Sequence, residues 1–280
     1  MNGKRTSFLC PRCGRLLSAG EPRCPYCGLG SPSAAWRRWV PAGLLREPAA
    51  LLRLVIGANL FLFALAILLD PQSAGFTMNP LLLFRPSDRA LFALGATGTI
   101  PIEGYGRLWT LLSAGYLHAG LLHIVFNLAA LRQLGLLVGS EYGASRMFAI
   151  FTLAGVCGFL ASWAVGVRLT VGASAGVCGL VGAILYFGKS RGGAYGAALY
   201  RQVGTWALIL FLFGFLVPGI NNWAHGGGLL AGAAAGWVLG YEERRRESAS
   251  HRALAVVLLW LTGFVLLIAV AGGLAARFGG

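Results

Sequence analysis

A serine at the start of a helix, inside an apolar stretch, has the residue type and position from which acyl-transfer chemistry is built. Here that residue is Ser174, within Val171-Gly172-Ala173-Ser174-Ala175-Gly176-Val177-Cys178-Gly179. The apolar run that follows ends near Phe187, where Gly188 and Lys189 stand. Its roughly fourteen residues would rise about 21 Å as a helix, against roughly 30 Å of bilayer hydrocarbon. A helix opening at Ser174 is therefore expected to begin below one membrane surface. The free backbone N–H groups and positive dipole end of its first turn would then lie beside the hydroxyl. The same letters also suit a small-residue seam between membrane helices, or the G-x-S-x-G elbow of α/β hydrolases. The elbow fails on context, because no strand precedes it and no alternating α/β pattern surrounds it.

The partners of the serine decide between these readings. Three of the four histidines, His118, His123 and His225, fall in apolar segments with Asn127, where polar side chains are costly and mark function. His123 and Asn127 are four apart and share a helix face. His225, Gly228 and Gly232 form a stripe whose glycines admit a neighbouring helix closely, and Gly179, Gly182 and Ala183 offer the matching smooth surface. A Ser174–His225 contact is the expected result. No Asp or Glu occurs in either segment, so a hydrolase built here would run on a dyad, with packing in place of an orienting carboxylate.

A second constellation lies at the N-terminus. Cys10-Pro-Arg-Cys13 and Cys24-Pro-Tyr-Cys27 are two C-x-x-C knuckles, each followed by glycine, Gly14 or Gly28. Four soft ligands in paired knuckles suit a tetrahedral structural zinc, with iron as the second choice. Disulfides are not expected if this end is cytosolic. The head resembles a zinc ribbon, with a protein partner as a possible further role. No cofactor is expected in the catalysis itself.

The elements that position these residues follow from composition. The chain has 280 residues, 57% hydrophobic and only 11% charged, the signature of an all-α polytopic membrane protein. Spans are expected at about 51–69, 108–138, 147–165, 174–187, 203–217, 223–239 and 253–271. The loop 70–107 carries Leu81-Leu82-Leu83-Phe84, which should lie in the membrane interface, and the linker bears Trp36 and Trp39 for the same setting. The net charge of +14 does not point to nucleic acid. Its basic residues crowd the N-terminal head, the segment 188–202 and the loop 241–252. The other side carries only Arg85, Arg89, Arg107, Arg168 and Arg277. The positive-inside rule then predicts a cytosolic N-terminus, in a multi-pass protein of the cytoplasmic (inner) membrane. The starts of spans two, four and six, with His118, Ser174 and His225, all fall toward the outer face.

Together, Gly172-Ala173-Ser174, His118-x4-His123-x3-Asn127, His225-Gly-Gly-Gly228-x3-Gly232 and Gly139-Ser-Glu141-Tyr-Gly143 resemble the rhomboid family of intramembrane serine proteases, over about 51–240. The resemblance implies a six-helix core. It also implies Ser174 as nucleophile, His225 as general base, and His123 and Asn127 as side-chain oxyanion donors beside the Ser174 N–H. His118 would have a structural or water-organising role. Three positions depart from the family's habit: Ala175 where glycine is frequent, Cys178 where an aromatic packs on the histidine, and Trp109-Thr110 where Trp-Arg is usual. Four parts are expected: a head at 1–35, a linker at 36–50, a rhomboid-like core at 51–240, and a basic loop with one further helix at 241–280. The implied activity is endoproteolysis of single-span membrane proteins near the outer face. A catalytically silent rhomboid-like binder of client helices is the alternative.

Overall fold

A computed structural model describes residues 7–10, 13–29, 44–73, 75, 77, 83–217 and 219–279. Within the head, strands β1 (Ser7–Leu9) and β2 (Leu16–Ser18) pair antiparallel, with Phe8 opposite Leu17. The membrane part is helical: α1 (Pro48–Leu69), the short α2 (Asp88–Ala93), α3 (Thr99–Glu103) and α4 (Thr110–Ser113), then α5 (Leu121–Tyr142), α6 (Ala144–Ala164), α7 (Ser174–Arg191), α8 (Gly193–Leu216), α9 (Asn222–Leu239) and α10 (Ala249–Phe278). Local sequence accounts for the boundaries. Pro48 opens α1, where its missing N–H costs nothing. The Asn221 side chain caps α9, and Ser248 and His251 form a reciprocal capping box on α10.

Among the described residues, α1, α5, α6, α8 and α10 are long and apolar enough to cross a membrane, and the protein is an integral multi-pass membrane protein. The other two long helices, α7 and α9, have 18 residues each. They fall short on hydropathy, α7 because Lys189 and Arg191 close it and α9 because glycine, alanine and polar residues replace large aliphatic side chains. Those small residues serve packing. A Cβ at Gly232 would run into the carbonyl of Gly179, one at Gly228 into that of Ala175, and one at Gly182 into that of Leu229. On α6, a Cβ at Gly158 would strike the Ala224 carbonyl and come within 2.9 Å of the Ala175 methyl. Helices α6, α7 and α9 thus meet backbone to backbone, and only glycine permits that approach.

Three expected boundaries need correction. The second span does not begin at Leu108: α5 starts at Leu121, after Gly120 with φ 158°, so His118 lies in the preceding loop. Helix α7 does not stop at Phe187 but continues to Arg191, because Lys189 and Arg191 in its last turn complement the negative end of the helix dipole. The segment 193–202, expected as a loop, is the first part of α8. Trp36, Trp39, Leu81 and Leu82 lie outside the described residues. The Leu83 carbonyl accepts from Leu121 N at 2.9 Å, which ties the first loop to the start of α5.

At the opposite end of the bundle Arg146, which falls between the expected spans 108–138 and 147–165, is completely buried. Its guanidinium donates to the carbonyls of Tyr142, Gly240 and Arg245 and pairs with Glu242. Glu247 accepts from Ser145 N at 3.1 Å and pairs with Arg252 at 3.7 Å. This network fastens the α5–α6 turn to the loop before α10. The buried charge is tolerated because the guanidinium donors have acceptors.

Candidate active site

Ser174 is the first residue of α7. The chain enters it through Gly172, whose φ of 135° suits glycine and whose N–H donates to the Ala114 carbonyl at 2.9 Å. Leu169–Gly172 is held on its other side as well, since Thr170 and Thr97 exchange backbone hydrogen bonds of 2.7 and 3.1 Å. The serine hydroxyl is thereby presented from a fixed turn, beside N–H groups that have no acceptor within their own helix.

The structure brings Ser174 and His225 together. His225 Nε2 lies 2.8 Å from Ser174 Oγ, a normal hydrogen-bond distance for a nucleophile and its base. His225 sits in the first turn of α9, which the α7–α9 glycine contacts draw against the serine helix. Neither helix carries an Asp or Glu, so within this pair of helices no carboxylate supports the imidazole.

His123 approaches the same spot from α5. A Cβ placed on Gly172 would lie 2.8 Å from His123 Nε2 and 3.5 Å from Ser174 Oγ, so both side chains border the same glycine. The Ala119 N–H donates to His123 Nδ1 at 3.3 Å. In a neutral ring the proton then resides on Nε2, the atom that borders Gly172. Asn127, one turn further along α5 and buried, donates one Nδ2 hydrogen to the His123 carbonyl at 2.8 Å, leaving a second amide hydrogen to offer. His118 is fully buried with its ring edge-on to His123 at 5.0 Å between centroids. It packs against the His123 ring.

Cys178 stands one turn along α7 from Ser174 and is half-buried. Sequence reasoning missed Asn221, Ser162 and Thr170. Asn221 Nδ2 donates to Ser162 Oγ at 2.6 Å and to Thr170 Oγ1 at 3.1 Å. The signal that was available is Asn directly before an apolar helix, the mark of an N-cap. A cavity of about 20 Å³ lies behind the serine, lined by Leu111, Phe151, Thr152, Phe159, Ala173 and Gly176.

In the head, the Sγ atoms of Cys10, Cys13, Cys24 and Cys27 all lie within 4.8 Å of one another. Cys10–Cys27 and Cys13–Cys24 are each 3.7 Å apart. A tetrahedron of thiolates at about 2.3 Å from zinc has edges of about 3.8 Å, so the four donors fit that ion. Gly14 and Gly28, at φ 71° and 70°, make the two knuckle turns, with their N–H groups on the carbonyls of Cys10 and Cys24 at 2.9 and 2.8 Å.

Comparison with known proteins assigns the membrane part of the chain to a family. The family model of the Rhomboid domain matches residues 105–242, the segment that carries His123, Asn127, Ser174 and His225. The chain is similar to "Rhomboid protease GluP" of Bacillus subtilis, 34% identical over 158 residues, covering 55% of this chain and 30% of that protein. It is similar to "RHOMBOID-like protein 1" of Arabidopsis thaliana, 27% identical over 249 residues, covering 77% and 63%. A third, "RHOMBOID-like protein 7" of Arabidopsis thaliana, is 27% identical over 232 residues, covering 76% and 69%. The chain thus spans less than two thirds of the length of the first two. Motifs, helix order and family match converge on one assignment: over its membrane part this chain belongs to the rhomboid family.

Proposed function

We propose that this protein is an intramembrane serine endopeptidase that cleaves single-span membrane proteins near the outer membrane face with a Ser174–His225 dyad. The observation that carries the reading is the 2.8 Å contact between Ser174 Oγ and His225 Nε2, made beside the His123 Nε2 edge. The substrate helix unwinds locally, because a helical amide is shielded and already hydrogen-bonded. His225 Nε2 accepts the Ser174 proton as Oγ bonds to the scissile carbonyl carbon. Negative charge moves to the carbonyl oxygen, where His123 Nε2–H, the second Asn127 amide hydrogen and the Ser174 N–H are its donors. One such donor is worth roughly 3–4 kcal/mol in the transition state. The imidazolium returns its proton to the amine nitrogen as the C–N bond breaks. Water, deprotonated by His225, then attacks the acyl carbon, and the imidazolium returns that proton to Ser174 Oγ as the ester C–O bond breaks.

The residues of the head support a structural zinc held by Cys10, Cys13, Cys24 and Cys27, which would fix the fold of a small domain and take no part in the cleavage. The charge distribution supports a cytosolic N-terminus, with the dyad toward the opposite face. The four parts at 1–35, 36–50, 51–240 and 241–280 remain the domain division proposed here. Labelling with a fluorophosphonate tests the reading: wild type takes up one probe at Ser174, and Ser174→Ala takes up none. Equal labelling of both, or a folded wild type that does not react, would remove it.

A further inference from the structure

Ser174 and His225 stand on different helices, and a second link runs beside their contact. Asn221 lies four residues before His225, and Thr170 four residues before Ser174. The Asn221 amide joins them, with Nδ2 donating to Thr170 Oγ1 at 3.1 Å and to Ser162 Oγ at 2.6 Å. Its Oδ1 accepts from Ala224 N at 3.1 Å, and its main-chain carbonyl accepts from His225 N at 3.1 Å. Both amide hydrogens and the amide oxygen are therefore engaged. The anchors are themselves fixed: Ser162 is fully buried on α6, and the Thr170 backbone is paired in both directions with Thr97.

We propose that Asn221 is a positioning residue for the dyad: its amide sets the approach of His225 to Ser174 by bracing the start of α9 against Thr170 and Ser162. The proposal rests on the serine-protease reading of the same site. No carboxylate on α7 or α9 holds the imidazole, so the ring goes where its backbone and packing put it. The amide bridge fixes that backbone at an equal remove from both reacting side chains. It occupies the structural place that an orienting side chain takes in a triad, but acts on the helix rather than on the ring. Misplacement of about 1 Å in such a pair costs on the order of 10²-fold in rate.

The test uses the purified full-length protein in detergent. It compares the fluorophosphonate labelling rate at Ser174, kcat and KM for a single-span reporter, and the thermal midpoint. The variants are Asn221→Ala, Asn221→Asp and the double Ser162→Ala/Thr170→Val. Asn221→Ala and the double variant should each lower labelling rate and kcat by about tenfold or more, with KM within about twofold of wild type. Asn221→Asp, whose carboxylate still caps Ala224 N and accepts from both hydroxyls, should stay within about threefold of wild type. The double variant keeps the helix cap and removes only the brace, so it carries the test even if Asn221→Ala fails to fold. Wild-type labelling by the double variant would reduce Asn221 to a helix cap and overturn the proposal. A loss that merely follows the thermal midpoint, with aspartate no better than alanine, would also overturn it. A reactive wild type beside equally reactive variants sinks the brace alone, whereas an unreactive wild type removes the proposed function and the brace with it.

Discussion

Gly172 and His123 share a space that one methyl group would close: a Cβ on Gly172 would lie 2.8 Å from His123 Nε2. The glycine serves two ends at that point. Its φ of 135° turns the chain into α7, and its missing side chain lets the imidazole edge reach the nucleophile. Gly172→Ala should therefore displace His123 and strain the turn together. The expected outcome is a fall in kcat of about 10²-fold, the loss of one oxyanion donor, with KM little changed. Steady-state cleavage of a reporter checks it, and near wild-type kcat would show that His123 does not act from this position.

Much of this site was legible from spacing alone. His123 and Asn127 at i and i+4, the Gly228/Gly232 stripe and a serine opening a short apolar run imply the contact between α7 and α9, because only glycine admits such approach. The signals that misled were those of charge and hydropathy. Lys189 and Arg191 look like the end of a span but belong to the last turn of α7, where the helix dipole favours them. Arg146 looks like a loop charge but is buried on acceptors from segments distant in sequence. The Asn221 bridge was not legible, since its partners on α6 and before α7 are brought near only by the fold.

The head yields an independent prediction. One zinc per chain should be retained by reduced protein, and Cys13→Ser should lower that occupancy. Deleting residues 1–30 should leave the thermal transition of the membrane core in place, because β1 and β2 pair with each other. Metal analysis and a melting curve check the two halves. Protein without tightly bound zinc would contradict the first, and loss of the transition the second.

Cys178 lies one helical turn from Ser174 on α7, and residues four apart share a helix face. The resemblance to the rhomboid family implies an aromatic at this place packed on the imidazole, and cysteine is smaller. Cys178→Tyr or Cys178→Phe should leave cleavage equal or faster, and Cys178→Ala should change it little. A folded Cys178→Ala protein as inactive as Ser174→Ala would assign the thiol a catalytic role and end the serine dyad.

Glu247 gives the pH prediction. Burial raises its carboxyl above the ordinary 4.5, with Arg252 and the Ser145 N–H opposing the shift. The folded state thus holds this proton more tightly than the unfolded state. The contribution of the group to stability is fully present below about pH 4.5 and is lost as pH rises through the folded value. Thermal midpoints of Glu247→Gln relative to wild type should consequently increase as pH climbs through that window. A difference that shrinks over the same range would mean that Arg252 and Arg146 favour the carboxylate more than burial opposes it.

The central claim is that Ser174 and His225 act as one catalytic unit within the membrane. The most direct measurement is cleavage of a single-span reporter in proteoliposomes by wild type, Ser174→Ala, His225→Ala and the double variant. Wild type should cut the reporter, each single variant should lose cleavage while keeping a wild-type melting curve, and the double variant should be no worse than either single, because nucleophile and base work together. Substantial turnover by folded Ser174→Ala or His225→Ala, or none by wild type, would contradict it.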